Sequence, residues 1–336
     1  MIAAPSVKDE NYRFTSLRSI NWNEAPETIP VSANSDVLPL VFRNDAFADL
    51  NRGYAPDTKR ILVTGKQSGT KVSIGHHFES CGAIYSRVIV EVAPNVNVTL
   101  VEELLGSPRL LNQVLEIRLG EGSVVEWVHL QNLSRSTLGF LRTLVTLEAG
   151  SELKGIISSV GGSKNQSRVE VCLKGERAQA TLMSATRGII DQHFDHWTTI
   201  THDAGKTTSS FKHWTVMGDQ ARAIFNGKVV IPAHALGCDA YQKNTNLLLS
   251  KQAVIDSIPK LEIATDEVKC AHGSSISPVS DDHLYYLESR GIDRAMAEGM
   301  LVDGFTEPVL MQISDDVLRS QIRLALVGHA SDGGWE

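Results

Sequence analysis

Two segments, Pro94-Asn95-Val96-Asn97-Val98-Thr99-Leu100-Val101 and Glu121-Gly122-Ser123-Val124-Val125-Glu126-Trp127-Val128, share one construction: a turn-forming pair, then a short β-branched run with apolar residues at alternate positions. The pair returns at Ala149-Gly150, Glu176-Arg177, Ala204-Gly205 and His234-Ala235. With Asn95, Gly122, Gly150, Arg177, Gly205 and Ala235 as markers, the steps are 27, 28, 27, 28 and 30 residues. A period this regular predicts stacked coils, each burying its inward side chains on the next.

Between about Arg60 and Ser280 the runs are short, β-branched and bounded by Gly, Pro, Asn or Asp, and no helical stripe of useful length intervenes. A parallel sheet with crossover helices is therefore disfavoured, and an antiparallel sandwich lacks a reason for the constant period. The two ends differ from the middle. Residues 1–58 carry Pro5, Pro26, Pro30, Pro39 and Pro56 with little periodicity, which predicts an irregular N-terminal cap with room for one short helix. Residues 59–279 form the solenoid. Residues 280–336 form a helical C-terminal domain: Ser280 caps a helix over Asp281 to Arg290 that Gly291 stops, and Ser314 caps a second over Asp315 to Val327. Leu318, Ile322, Ala325 and Leu326 stripe that second helix, which Gly328 ends. The stripe is either self-buried or a docking surface.

The 336 residues, 42% of them hydrophobic, suffice for a substantial core, and a formal charge of −7 offers no attraction for a phosphate backbone. Nucleic acid is not an expected partner. No stretch approaches the ~20 apolar residues of a membrane span, and the N-terminal residues lack a basic segment followed by an apolar run, so a soluble cytoplasmic protein is expected. Four dispersed cysteines, Cys81, Cys172, Cys238 and Cys270, are too few for a disulfide framework or a resident four-thiolate cluster.

The run Val268-Lys269-Cys270-Ala271-His272-Gly273-Ser274-Ser275 holds the best candidate chemistry. In a strand Cys270 and His272 share one face with Cα atoms ~6.5 Å apart. A thiolate and a neutral imidazole suit iron or an iron–sulfur fragment, although Val268 has the same parity and all three could be an apolar stack. The histidine-rich stretch from Asp191 to His202 is weaker: His193 and His196 have opposite parity, and His196 and His202 stand ~20 Å apart along a continuous strand. Hydrogen-bonded or solvent-facing histidines on a coil edge are the expectation there. Ala204-Gly205-Lys206-Thr207 imitates the end of a phosphate loop, but Ile200 stands where its first glycine belongs. No nucleophile elbow, zinc-protease motif or dinucleotide fingerprint is present. A carbohydrate-active β-helix is the alternative from another class, opposed by an aromatic content of 6%.

The order and spacing of Phe225-Asn226-Gly227-Lys228, Asp239-Ala240-Tyr241-Gln242, Asn246-Leu247-Leu248-Leu249-Ser250, Pro259-Lys260-Leu261-Glu262-Ile263, the Cys270/His272 run and Leu284-Tyr285-Tyr286-Leu287-Glu288-Ser289-Arg290-Gly291-Ile292 resemble the SufB/SufD family of iron–sulfur cluster assembly proteins. The likeness is strongest over residues 190–310. It favours the SufD branch, because Lys243-Asn244-Thr245-Asn246 stands where SufB carries a cluster-binding cysteine and Gly273 stands where SufB typically has Glu. The resemblance implies a right-handed parallel β-helix and a non-ATPase scaffold that pairs with SufB through its late coils. It also implies binding of the ABC-type ATPase SufC through the C-terminal helical domain. A transient iron or iron–sulfur cluster would be shared with SufB, with His272 as a ligand or iron-entry contact and Cys270 assisting or structural. A reduced flavin on the complex belongs to the same expectation, with no residue here marking its site. A SufB-like homodimer is the nearer alternative.

Overall fold

A computed structural model describes residues 45–55, 58–79 and 81–328; most of the expected N-terminal cap lies outside them. The strands run β1 (Lys59–Val63), β2 (Thr70–Ser73), β3 (His76–Phe78), β4 (Ala83–Val92), β5 (Asn97–Gly106), β6 (Leu110–Leu119), β7 (Val124–Leu133), β8 (Leu138–Leu147) and β9 (Glu152–Gly161). They continue as β10 (Lys164–Leu173), β11 (Gln179–Gly188), β12 (His193–His202), β13 (Thr208–Met217), β14 (Arg222–Ile231), β15 (Cys238–Leu248), β16 (Val254–Ile263) and β17 (Val268–Pro278). Consecutive strands alternate between two parallel sheets. One is ordered β1-β4-β6-β8-β10-β12-β14-β16 and the other β17-β15-β13-β11-β9-β7-β5-β2, with β3 also pairing β5. Each pair of strands is one coil of a parallel β-solenoid. Between residues 59 and 280 the only helical turn among the described residues is the three-residue 3-10 segment Gly65–Gln67.

The coils stack through their turns as well as their strands. Asn95, Gly122, Gly150 and Arg177, four of the six periodic markers, all have φ near +60°. The amides of the first three donate to the turn of the next coil: Asn95 to the Glu121 carbonyl, Gly122 to Ala149 and Gly150 to Glu176, each at 2.9 Å. In the last two of these turns the left-handed residues are Lys206 and Gly237, one and two positions beyond the markers Gly205 and Ala235. Inside, Val88, Val90 and Val92 of one sheet meet Val98 and Leu100 of the other, and the pattern repeats through Leu115, Ile117, Val125, Trp127, Val145, Val171, Leu182, Phe211 and Phe225. Burying such aliphatic side chains yields ~1.5–3 kcal/mol each, which orders the stack.

Helix α1 (Ala46–Tyr54) lies on the outer face of the first sheet. Asp45 caps it by accepting from the Phe47 and Ala48 amides and also receives the buried Arg142 guanidinium at 2.6 Å. The chain ends in α2 (Asp281–Ser289), α3 (Arg294–Leu310) and α4 (Asp316–Val327). Ser280 caps α2 as expected, whereas α4 is capped by Asp315, with Ser314 instead donating to Glu126 of β7 at 2.7 Å. The sequence reading missed α3. The stripe Leu318, Ile322, Ala325 and Leu326 is buried with Val309, Leu310 and Ile313 against Val101, Val128, Leu130, Ile156, Val160 and Met183 on the outer face of the second sheet. Of the two roles left open for it, self-burial is the one adopted. Arg187 of β11 donates to the Leu326 and Val327 carbonyls at 2.5 and 2.7 Å, tying the last turn of α4 to the solenoid. No described helix is long and apolar enough to cross a membrane.

Candidate functional site

Cys270 and His272 lie on β17, the final strand of the second sheet, whose register on β15 pairs Ala240 with Cys270 and Gln242 with His272. In β15 the buried residues are Cys238, Ala240, Gln242, Asn244 and Asn246, so the even-numbered side chains point into the solenoid. Cys270 and His272 continue that inner face, as their parity requires. Nothing among the described residues stacks on them: β17 pairs only with β15 and β16 only with β14, leaving both strands as sheet edges. His272 is consequently exposed and Cys270 half-buried. An exposed hydrogen bond of 2.9 Å between Ser257 of β16 and Ser274 of β17 links the two edge strands.

The two candidates differ chemically. Cys270 packs with Val268 and Leu261 against Val229, Ile231, Ala235, Cys238 and Ala240. Burial pushes its thiol above the ordinary cysteine value, so at neutral pH it is a protonated packing group. His272 has no such enclosure and presents an imidazole at the open end. The described residues contain no cluster of three or more His, Cys, Asp or Glu suited to a metal ion.

Of the earlier stretch, His196 and His202 lie inside the solenoid and are hydrogen-bonded, one of the two expected roles, whereas His193, of opposite parity, is half-buried on the other face of β12. His202 is fully buried and bonds Thr207 through Nδ1 at 2.7 Å and Ser209 through Nε2 at 2.8 Å. His196 bonds Thr186 at 3.1 Å, and its ring centroid lies 5.3 Å from that of His213, which contacts Ser184. Burial lowers the pKa of His196 and of His202 to about 4, and that of His213 well below the ordinary value. Further back, Glu102 is buried and receives Gln113, the Trp127 indole at 3.1 Å and His129 at 2.8 Å. Sequence reasoning did not find this polar interior. Its only signal is polar residues at inward parity, which a strand pattern alone cannot distinguish from a solvent face.

The phosphate-loop imitation at Ala204–Thr207 is an inter-coil turn: Lys206 donates its amide to the Leu236 carbonyl at 2.8 Å, and Thr207 is buried on His202. That backbone is committed to the next coil rather than to a phosphate.

Residues 76–305 match the family described as SUF system FeS cluster assembly, SufBD core domain. The iron–sulfur cluster assembly protein SufD of Escherichia coli is 33% identical over 315 residues, covering 90% of this chain and 74% of that protein. An iron–sulfur cluster assembly SufBD family protein of Synechocystis is 29% identical over 255 residues, 71% of this chain and 55% of its own length. The iron–sulfur cluster assembly protein SufB of Bacillus subtilis is 26% identical over 204 residues, 61% of this chain and 44% of its own. The parallel solenoid, its helical C-terminal extension and these matches agree with the resemblance read from residues 190–310, and the chain belongs to the SufB/SufD family of iron–sulfur cluster assembly proteins.

Proposed function

We propose that this chain is a SufD-like scaffold, without ATPase chemistry of its own, that pairs with a SufB-like subunit through its last coil, and that iron or a nascent iron–sulfur cluster is its cargo at that junction. The observation that carries this reading is the placement of His272 on the inner face of an uncovered terminal coil, flanked by the two free edges β16 and β17. A partner that continued both sheets would enclose the imidazole and bring its own soft ligands to iron. Asn244 and Asn246, both buried where SufB carries its cysteine, leave this chain without a thiolate at that position, which supports the SufD branch over a SufB-like homodimer.

A SufC-like ATPase would bind the outward faces of the C-terminal helices. Since Leu318, Ile322 and Leu326 are covered, the apolar side chains available are Tyr285 and Tyr286 on α2, Met296 and Met300 on α3, and Val317 and Leu324 on α4. Electrons, which the resemblance would draw from a reduced flavin on the complex, are not assigned to any residue of this chain.

The test is anaerobic co-expression with SufB and SufC, with iron and acid-labile sulfide measured per complex. His272→Ala is expected to lower both severalfold while the complex elutes as the parent does in gel filtration; Cys270→Ala is expected to have the smaller effect, because its thiol is packed. A His272→Ala complex with a full complement of iron and sulfide defeats the assignment. A parent chain that forms a homodimer and loads cluster without SufB favours the SufB-like reading.

A further inference from the structure

The inward column that ends at His272 changes character in its last two coils. Reading along the register it runs Leu100, Trp127, Gly155, Leu182, Phe211, then Gln242, then His272. Five positions with no polar side-chain atom but an indole edge precede an amide that is 1% exposed. The Gln242 Nε2 donates to the Gly227 carbonyl at 3.4 Å, and its Oε1 has no hydrogen-bond partner among the described residues. The carbonyl of Gly227 fixes which end of the amide is which, because a reversed amide would set two oxygens against each other. An unpaired buried acceptor is unfavourable, so an apolar residue here would be the better choice for packing alone.

The ladder leaves few groups for that oxygen to serve. Phe211 on one side has no polar atom, and Gly227, whose missing Cβ would stand 2.3 Å from the Gln242 Nε2, offers only the carbonyl already engaged. The neighbour on the other side is His272, paired with Gln242 in the β15–β17 register and facing the same way.

We propose that Gln242 is the positioning residue for His272: its Oε1, unpaired in this structure, accepts the N–H of the imidazole when that exposed ring on the adjacent strand rotates onto it, which fixes one tautomer and turns the lone pair of the other ring nitrogen outward toward iron. This rests on the iron-binding reading of His272. The physical logic is that of outer-shell partners at metal centres, where a hydrogen bond to the non-ligating nitrogen sets both ring orientation and basicity. It also gives a reason for glycine at 227, since the amide lies across the space a side chain there would fill.

The experiment reads the tautomer directly on the full chain labelled with 15N-histidine, with His272→Ala identifying the resonance. The parent is expected to show one dominant tautomer of the neutral ring at alkaline pH. Gln242→Met, similar in length and without an acceptor, is expected to shift the tautomer ratio about fivefold, the bias one ordinary hydrogen bond sets. Gln242→Glu, held protonated by burial, replaces the amide donor to the Gly227 carbonyl with its O–H and keeps an acceptor oxygen; it is expected to retain the parent ratio, whereas a merely structural amide would give no such rescue. Circular dichroism of both variants checks that the last coil is formed. Added Fe2+ under anaerobic conditions should broaden the His272 signal in the parent at lower metal concentration than in Gln242→Met. An unchanged tautomer ratio in Gln242→Met overturns the inference even if His272 proves to bind iron. Conversely, a shifted ratio with a His272→Ala complex that loads cluster normally leaves the hydrogen bond standing and removes the iron role, so the two readings fail separately.

Discussion

A histidine sealed between coils is held neutral because no water solvates its charged form, and the price of ionising it falls on the fold. His202 is the clearest case, with both ring nitrogens occupied by the hydroxyls of Thr207 and Ser209 and a pKa lowered by burial to about 4, against a smaller opposing pull from Asp239. The folded pKa lies below the unfolded value near 6.5, so the unfolded chain takes up protons first as pH falls. The stability His202 contributes is therefore fully present above pH ~6.5 and is lost progressively down to pH ~4, by about 2 kcal/mol at pH 5. The urea midpoint of the isolated chain should drop over that window, and His202→Gln should flatten the drop; a parallel decline in both proteins contradicts this account. The sequence showed that His196 and His202 share a face. It could not show which face, because the hydroxyls that receive them come from β11, the turn after β12, and β13. The same limit applied to Gln242, whose position in an apolar column exists only once the register is known.

At the level of elements, turns were legible and long-range caps were not. Asn95, Gly122, Gly150 and Arg177 were readable because turn chemistry is local and a left-handed residue recurs once per coil. Gly122 and Gly150 then separate two contributions. A side chain on Gly150 would meet nothing within 4 Å, so alanine there carries only the left-handed backbone cost of ~1 kcal/mol, whereas a Cβ on Gly122 would lie 2.6 Å from Asn95 Oδ1. Gly122→Ala should therefore lower the urea midpoint more than Gly150→Ala, and the reverse order would refute the argument. Helix α3 escaped the sequence reading for a physical reason. Gly299, Gly304 and Pro308 interrupt its pattern, yet Val302, Val309 and Leu310 are fully buried, so tertiary packing overrides weak propensity. The cap of α4 was misassigned by one residue because the partner of Ser314 is Glu126, 188 positions away in sequence.

At the scale of the molecule the C-terminal helices and the outer face of the second sheet share one apolar cluster, although their sequences read as separate regions. Deleting residues after Ser280 would uncover Val101, Val128, Leu130, Ile156, Val160 and Met183 together, an apolar patch of the kind that drives association. The truncated chain should aggregate or elute as large species in gel filtration; a monodisperse truncated solenoid would show the helices to be dispensable for the fold. The opposite argument holds at the open end. There β17 offers unpaired backbone groups, and Ile276, 45% exposed, continues the inner column above Asn246 without a coil to cover it. A free edge of this kind either meets a partner or invites unwanted pairing, and inward-pointing lysine is the usual means of blocking it. Ile276→Lys should leave the isolated chain as stable as the parent in urea, because the side chain has little native burial to lose. It should also abolish co-elution with a SufB-like subunit, because two joined sheets would have to enclose the ammonium group. If Ile276→Lys still forms the complex at parental yield, the partner does not extend the last coil, and the junction that would enclose His272 must be sought on another face.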